Sequence, residues 1–283
     1  MKRYRRHSKR LIGKMPVVIG LLLVTAVFLF PIYLAVITSF KTPLEIADSI
    51  MALPKSLNIE NYIEGMKKSN FARSLLNSVI VTFPSVAMIV LFSAMGGYTI
   101  ARNGKNNPFL KFMDKVYLSS LMIPFQIIMI AVYKIFKGLN LLNSLTGMII
   151  MLTGYSIAYA TFLFVGFVKS VPVDMEEAAL IDGCGPYRAF FIIVFPLLKP
   201  IAATVAALHV MWLWNDFNIA VILLQKDEIR TLTVKQYYFF GEHVSDYGMA
   251  FAASIICMIP VLIFFVAMQR YLVEGISSGA VKT

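Results

Sequence analysis

The chain has 283 residues, of which 59% are hydrophobic and 14% are charged, and its mean hydropathy is +0.76. A soluble domain carries about 25% charged residues, so this composition excludes a soluble globular protein. The 26 Lys and Arg residues outnumber the 15 Asp and Glu residues and give a formal net charge of +11. Because this excess lies in short segments between long apolar runs, it orients a chain in a membrane and does not indicate binding of nucleic acid.

Long uncharged runs predict the membrane-spanning helices, because a helix of about 20 apolar residues crosses a hydrocarbon core of about 30 Å. Five uncharged runs contain 18 to 31 residues, and a sixth run, residues 200–225, has only His209 and Asp216 as ionisable groups. We therefore predict an all-α polytopic membrane protein with six transmembrane helices. The predicted spans are residues 16–39, 78–101, 116–136, 145–168, 197–224 and 249–270.

The first predicted span follows a strongly basic segment, as the core of a secretory signal peptide also does. Its uncharged run of 26 residues is longer than the ~7–15 residues of a signal-peptide core, and no small-residue cleavage site follows it cleanly. We predict an uncleaved first helix. A basic N-terminal tail, residues 1–15, then precedes a single membrane domain, residues 16–283.

The basic residues also predict the orientation of the chain. Six spans place both termini on one side of the membrane, and that side carries 16 of the 26 basic residues. Since cytoplasmic loops are enriched in Lys and Arg, both termini are predicted to be cytoplasmic. The longest outer loops are then residues 40–77 and 225–248, whose mixed polar sequences predict folded caps. Cys184 lies in a predicted cytoplasmic loop and Cys257 in the last span, which predicts two free thiols.

Proline occurs within several of the apolar runs, at Pro31, Pro84, Pro124 and Pro260. Proline removes a backbone donor and kinks a helix. Membrane proteins tolerate this where neighbouring helices or a cavity satisfy the freed carbonyl group. Two interpretations follow: the prolines shape packing alone, which we favour, or they bend helices around the central cavity of a transporter.

The loop between the fourth and fifth spans, residues 172–196, is predicted to form two short cytoplasmic helices. Asp174 is predicted to cap the first helix, with Glu177 completing a pair that resembles a capping box. Ala178 and Ala179 leave one side of this helix flat, so that another surface can approach it closely. The glycines that follow supply the turn into the second helix. An ordinary amphipathic segment that re-enters the membrane is the alternative.

The same loop resembles the EAA…G…I-x-L-P motif in the membrane-spanning subunits of binding-protein-dependent ABC importers. In that family the loop forms a coupling helix in a cleft of the ATPase subunit and transmits closure of the ATPase to the membrane helices. Phe195 stands where leucine is usual, and Cys184 stands where alanine is common. The resemblance identifies the predicted ATPase-coupling residues as Glu177, Ala178, Ala179, Asp182, Gly183, Ile193 and Pro196.

The resemblance covers nearly the whole chain and points to the MalG-like permease subunits of carbohydrate importers. It implies the type I ABC importer permease fold, with residues 16–283 as one transmembrane permease domain. Further segments follow the order of that family along the chain. They are residues 31–42, 61–62, 75–78, 139–144, the Trp-Asn-Asp-Phe sequence at 214–217 and the ending at 269–282.

This resemblance also implies an assembly around the chain. Its members would be a second homologous permease subunit, a pair of ATPase subunits and an extracellular solute-binding protein, in a bacterial or archaeal cytoplasmic membrane. The solute would be a sugar, and an oligosaccharide in particular. The chain has no G-x-x-x-x-G-K-[ST] phosphate loop, so ATP and Mg are expected at the partner ATPase. We expect this chain to bind no cofactor, no metal and no nucleic acid.

Aromatic and polar side chains in the fourth and fifth spans predict a path for the sugar, because sugars stack on aromatic faces and hydrogen-bond to polar groups. The predicted path residues are Tyr155, Tyr159, Trp214, Asn215 and Asp216. Anchoring of Tyr and Trp at the membrane interface is the alternative, and the partner permease is another place for the solute site. Asp216 is either a functional charge, with His209 two turns before it, or a carboxylate near the outer mouth that pairs with backbone or a cation.

Two other classes of protein remain as alternatives. A self-contained secondary transporter needs intramembrane ionisable groups for ion coupling, and no rows of such carboxylates occur in the chain. A membrane scaffold or sensor would transport nothing. Neither class accounts for importer-like segments in the order of one family.

Overall fold

A computed structural model describes the backbone of residues 2–242 and 246–280, and the side chains of residues 15–238, 241 and 246–269. Every regular element in the described chain is helical, as predicted. The α-helices are α1 (Lys2–Ser39), α2 (Pro43–Asp48), α3 (Glu60–Lys68), α4 (Phe71–Asn103), α5 (Pro108–Ser120), α6 (Phe125–Gly138), α7 (Leu145–Val168), α8 (Asp174–Ile181), α9 (Pro186–Ala189), α10 (Phe195–Leu197), α11 (Lys199–Trp214), α12 (Asn218–Leu223), α13 (Leu232–Glu242) and α14 (Tyr247–Ala280).

Four of the described helices are long and apolar enough to cross a membrane by themselves, at Met15–Ser39, Phe71–Asn103, Leu145–Val168 and Tyr247–Gln269. Two further candidates are pairs of helices that bend sharply at a short break. Pro108–Ser120 and Phe125–Gly138 meet at 109°, and Pro186–Leu197 and Lys199–Trp214 meet at 74°. The described chain therefore has four spans, or six if each bent pair is one span.

The third and fifth predicted spans are the two that the structure breaks. Residues 116–136 were expected as one helix, but α5 ends at Ser120 and α6 begins at Phe125. Pro124 holds the break, because it lacks a backbone donor and is extended, with φ −62° and ψ 140°. The predicted span 197–224 is divided as well, into α11 and α12.

The contacts of the chain group it into two compact units, one formed by residues 1–69 and 239–256 and the other by residues 70–238 and 257–283. In the first unit, Lys41 is only 1% exposed, and its ammonium group donates hydrogen bonds to the carbonyl oxygens of Ser49 (2.9 Å) and Ile50 (2.8 Å). The Asn61 side chain donates to the carbonyl oxygen of Lys41 at 3.0 Å. These bonds fold the segment that follows α1 around one buried lysine.

The second unit contains the larger apolar core, with α4 and α7 packed closely against each other. A Cβ atom added to Gly97 on α4 would lie 2.6 Å from the Cβ atom of Phe164 on α7, so only glycine permits this approach. One turn before Gly97, the Ser93 hydroxyl donates to the carbonyl oxygen of Ile157 at 3.2 Å. We conclude that α4 and α7 form a rigid pair within this unit.

Candidate functional site

The predicted coupling loop contains α8, whose start differs from the expectation. Val173 is the N-cap residue, and no side chain caps the helix, so the predicted cap by Asp174 is wrong. Asp174 is instead the first helical residue. Asp174, Glu176 and Glu177 all lie in the first turn, where negative charge is favourable at the positive end of the helix dipole.

The end of α8 is a tight turn centred on Gly183. Gly183 has φ +83°, a left-handed conformation that a glycine adopts without strain. The amide of Cys184 donates to the carbonyl oxygen of Ala179 (2.9 Å), and the amide of Gly183 donates to that of Leu180 (3.1 Å). This pair of bonds is the Schellman motif. The predicted turn at Gly183 is therefore present.

The side chains of α8 divide into two faces. Glu176 and Ala179 are buried against the rest of the second unit. The motif alanines therefore lie apart, because Ala179 packs inward and only Ala178 is exposed. Ile181 has 87% of its surface exposed, although it is a large apolar residue. Asp174 and Met175 are exposed at the start of the helix. We define the α8 outer face by the exposed residues that follow them, which are Glu177, Ala178, Leu180, Ile181 and Asp182.

The inward carboxylate of α8, Glu176, binds two side chains of α4. Arg102 approaches Oε1 of Glu176 with Nε at 3.0 Å and Nη2 at 2.6 Å, and Tyr98 donates its hydroxyl to Oε2 at 2.9 Å. Nη2 of Arg102 also donates to the carbonyl oxygen of Val171 at 2.9 Å. The side chains of the ion pair are only 14% (Arg102) and 8% (Glu176) exposed. We call this group the Arg102–Glu176 cluster.

This cluster was not predicted from the sequence, because Glu177, and not Glu176, is the acid that matches the motif. A signal was present, since Glu176 and Ala179 are three residues apart and therefore share one face of a helix. The partner on α4 had no comparable signal. Arg102 is 74 residues away along the chain and is the first charge after the second predicted span.

The second half of the coupling loop runs from α9 through a π-helical turn, Phe190–Val194, into α10. Tyr187 on α9 is 76% exposed, whereas Phe190 is buried with its ring centroid 5.2 Å from that of Tyr98. Ile193 is half-buried in the π-helical turn, and Pro196 is exposed in α10. The two ends of the predicted coupling motif therefore lie on separate helices.

The predicted sugar-path residues do not form one group. Tyr159 on α7 contacts Trp212 on α11, with ring centroids 5.2 Å apart, and His209 lies 5.4 Å from Trp212. Tyr155 instead packs edge-on against Phe125 at 5.8 Å. An aromatic group is thus present between α7 and α11. It contains Tyr159 and Trp212, which the sequence also offers as an aromatic candidate, and it does not contain Trp214.

The remaining predicted path residues serve the ends of helices. Oδ2 of Asp216 accepts a hydrogen bond from the amide of Ala220 at 3.0 Å, which holds the start of α12. The Asn215 side chain donates to the carbonyl oxygen of Met211 at 2.7 Å, at the end of α11. Of the two interpretations of Asp216, the geometry favours pairing with backbone.

Trp214 lines an apolar cavity of about 320 Å³ bounded by α4, α11 and the second half of α14.

Both cysteines are free, with Cys257 buried and Cys184 partly exposed. In the part of the chain that the structure describes, no three His, Cys, Asp or Glu side chains converge in a way that could hold a metal ion.

Comparison with known proteins gives a consistent result. Residues 62–278 match the model of a family described as "Binding-protein-dependent transport system inner membrane component". The chain is 34% identical over 261 residues to the probable starch degradation products transport system permease protein AmyC of Thermoanaerobacterium thermosulfurigenes, covering 92% of this chain and 94% of that protein. It is 31% identical over 283 residues to the melibiose/raffinose/stachyose import permease protein MelC of Bacillus subtilis, covering 100% of both chains.

A solved structure agrees with the fold. A chain of a bacterial ABC transporter involved in the import of the acidic polysaccharide alginate superposes with a TM-score of 0.79. The match covers 93% of this chain and 97% of that one, at 22% sequence identity. This similarity shows the importer permease fold.

Proposed function

This chain belongs to the family of binding-protein-dependent transport system inner membrane components, and we propose that it carries an oligosaccharide through the membrane as one permease of an ATP-driven importer. The family consists of multi-pass permease subunits that lack an ATPase site of their own and work with a solute-binding protein and other ABC subunits. The oligosaccharide is proposed because the related permeases AmyC and MelC carry the names of starch degradation products and of melibiose, raffinose and stachyose.

The observation that carries the coupling role is the α8 outer face. It presents Ile181, 87% exposed, between the carboxylates of Glu177 and Asp182. Leu180 beside it is 53% exposed, and Tyr187 on the same loop is 76% exposed. Neighbouring exposed apolar side chains with charges at their edge are typical of a protein–protein contact. We propose that this face, with Gly183 at its end and Ile193 and Pro196 on the return to the membrane, docks on the partner ATPase.

The proposed energy source lies outside this chain. ATP and Mg bind the partner ATPase pair, and this chain holds no cofactor. ATP binding closes the ATPases, and the α8 outer face moves with them. The central cavity of the transporter then opens to the outer side of the membrane and receives the sugar. Hydrolysis then resets the permease.

The proposed setting is a bacterial or archaeal cytoplasmic membrane with both termini of the chain in the cytoplasm. A second homologous permease completes the path for the sugar, and lipid surrounds the pair. An extracellular solute-binding protein meets the outer loops, residues 40–77 and 225–248. Tyr159 with Trp212 is the part of the proposed path that has an aromatic surface ready to stack on a sugar.

An affinity pull-down of the tagged chain from its native membrane in mild detergent tests the proposal. Recovery of an ATPase, a second permease and a binding protein supports it, and sugar-binding measurements on that binding protein then name the solute. Recovery of the chain alone, active in reconstituted uptake, would overturn it and favour a secondary transporter.

A substitution at Gly183 tests the docking face. Gly183→Asp forces a side chain into a left-handed conformation and adds a charge beside the face, so we expect loss of ATPase retention or loss of coupling. Gly183→Ala isolates the backbone effect. Gly185→Ala is the matched control, because Gly185 has φ −67° and open space around its Cβ position. Normal sugar uptake and normal ATPase retention in Gly183→Asp would contradict the docking role.

A further inference from the structure

We propose that the Arg102–Glu176 cluster is the joint that makes α8 move as one body with the membrane helices α4 and α7, so that Arg102, Glu176 and Tyr98 are positioning residues for energy coupling. This inference rests on the proposed docking of α8 on an ATPase. It adds Glu176, on the inward face of α8, and its partners Arg102 and Tyr98 on α4. These residues do not touch the ATPase but connect the docking helix to the spans.

Glu176 lies on the inward face of α8. Of the four carboxylates in residues 174–182, Glu176 alone points inward, and the others are exposed. Its neighbour on the inward face, Ala179, contributes a single methyl group. α8 also packs on α9 and on the π-helical turn. Its buried side chains are those of Glu176 and Ala179, so its attachment to α4 depends on what the carboxylate binds.

The geometry of the ion pair also favours a firm connection between α8 and α4. Arg102 reaches Oε1 of Glu176 with two nitrogen atoms, and Tyr98 holds Oε2, so both carboxylate oxygens are fixed by α4. Charge-assisted hydrogen bonds of this kind are short and strongly directional. Withdrawal from solvent removes the screening that makes surface ion pairs weak. The cluster therefore resists both rotation and translation of α8 relative to α4.

The cluster also joins more than two elements. Arg102 also binds the carbonyl oxygen of Val171, in the segment between α7 and α8. Tyr98 lies against Phe190, at the start of the π-helical turn that leads into α10 and α11. Gly97, the residue before Tyr98 on α4, packs against Phe164 of α7. A displacement of α8 is thus passed to α4 and α7 and, through Phe190, to the start of the bent pair.

Spin-label distances in the assembled transporter test this inference without knowledge of the sugar. Labels are placed at Met175→Cys on α8 and Phe92→Cys on α4, both exposed side chains, in a Cys184→Ala, Cys257→Ser background. Double electron–electron resonance is measured without nucleotide and after trapping with MgATP and vanadate. With the native cluster, we expect the same distance distribution in both states, because α8 and α4 move together.

Two cluster variants should break this agreement. Glu176→Gln keeps the shape of the side chain but removes the ion pair, and Arg102→Lys keeps the charge but removes the planar fork. We expect the α8–α4 distance to shift between the two trapped states in Glu176→Gln, and to shift less in Arg102→Lys. A purely structural loss would broaden the distribution equally in both states. Arg73→Gln is the control, because Arg73 forms an exposed ion pair with Glu228 at 3.8 Å.

The outcomes separate this inference from the proposed function. A distance that changes between states in the native cluster, or that stays constant in both variants, overturns the joint while leaving ATPase docking intact. If the Glu176→Gln chain does not assemble into the transporter, the Arg102→Lys variant supplies the test. A constant α8–α4 distance in that variant contradicts the joint, and a distance that differs between the two states supports it. Absence of an ATPase from the purified complex overturns the proposed function and this inference together.

Discussion

Arg102 and Lys41 are both cations that the fold withdraws from water, yet they are satisfied in opposite ways. Arg102 pairs with a carboxylate on another helix, whereas the ammonium group of Lys41 binds two neutral carbonyl oxygens of its own loop. A carboxylate can be lost by one substitution, but backbone carbonyl groups remain whatever side chains the loop carries. The α8 region is therefore sensitive to substitution of either partner of its ion pair. The bonds of Lys41, in the loop of residues 40–77, are sensitive to substitution of the lysine alone.

This difference suits the proposed roles of the two regions. A joint that transmits movement has to be strong, and the charge-assisted hydrogen bonds from Arg102 to Glu176 provide that strength. A loop that receives different binding-protein surfaces can vary its exposed residues while a buried lysine keeps its backbone in place. The expected loss of stability is therefore larger for substitutions at the ion pair of α8 than for substitutions in the loop of Lys41.

The largest effect is expected for Glu176→Ala. The substitution leaves Arg102 withdrawn from water without its carboxylate, and breaking a buried pair in this way costs about 3–5 kcal/mol. The free energy of unfolding of the purified chain, measured by denaturant titration in mixed detergent micelles, should fall by that amount. Glu177→Ala, one residue along on the exposed face, is the matched control and should change it by less than about 0.5 kcal/mol. A fall of less than about 0.5 kcal/mol in Glu176→Ala as well would show that the inward pair contributes nothing to stability.

A smaller and local effect is expected for Lys41→Met. Methionine fills a similar space but leaves the carbonyl oxygens of Ser49 and Ile50 without their donor, at a cost of about 1–3 kcal/mol. Hydrogen exchange of the loop amides in residues 42–58 should accelerate, because the cost falls on local opening and not on the whole chain.

The control for this prediction is Lys55→Met, at an exposed lysine of the same loop. Loop amides that exchange at the same rate in Lys41→Met and Lys55→Met would remove the role of Lys41 in the loop. Acceleration spread over the whole chain would show that Lys41 stabilises more than its own loop.

The sequence predicted the spans best where the apolar run and the helix coincide. The expected span 145–168 has the same bounds as α7, because Ser144 caps its start and a charged residue, Lys169, follows its end. The breaks inside the third and fifth spans were not predicted, since the apolar run continues through them. Pro124 was interpreted as a kink in a continuous helix. Proline also disfavours the helical conformation of the residue before it, so one helix can end there and another can begin.

The candidate site divides in the same way. The turn at Gly183 followed from local chemistry, since a left-handed residue after a helix favours glycine. The inward role of Glu176 could not be predicted, because it depends on Arg102, which is distant in sequence and near only in the folded chain. Asp216 lies between these cases, since its capping of α12 is local but was weighed against a functional charge in the membrane.

The smallest effect is expected at Glu45, whose carboxylate binds two amides of the same loop as Lys41. The amides of Thr42 and Lys55 both donate to its carboxylate at 2.9 Å, and these bonds, that of Thr42 first, lower the pKa of Glu45 below its ordinary value of 4.5. A carboxyl group with a lowered pKa in the folded state stabilises that state above the unfolded pKa. The contribution is lost as the pH falls through the folded value.

Protection of the Lys55 amide from exchange, corrected for the intrinsic rate, should therefore fall below about pH 4.5 in the native chain. In Glu45→Gln it should be lower at neutral pH and no longer change across that range. Asp48→Asn, at an exposed carboxylate at the end of the same short helix, should leave the pH dependence intact. If Asp48→Asn abolishes the dependence and Glu45→Gln does not, the loop is held by Lys41 from within and by nothing ionisable at Glu45. The contrast between a loop fixed through its backbone and a helix fixed through its side chains would then be sharper still.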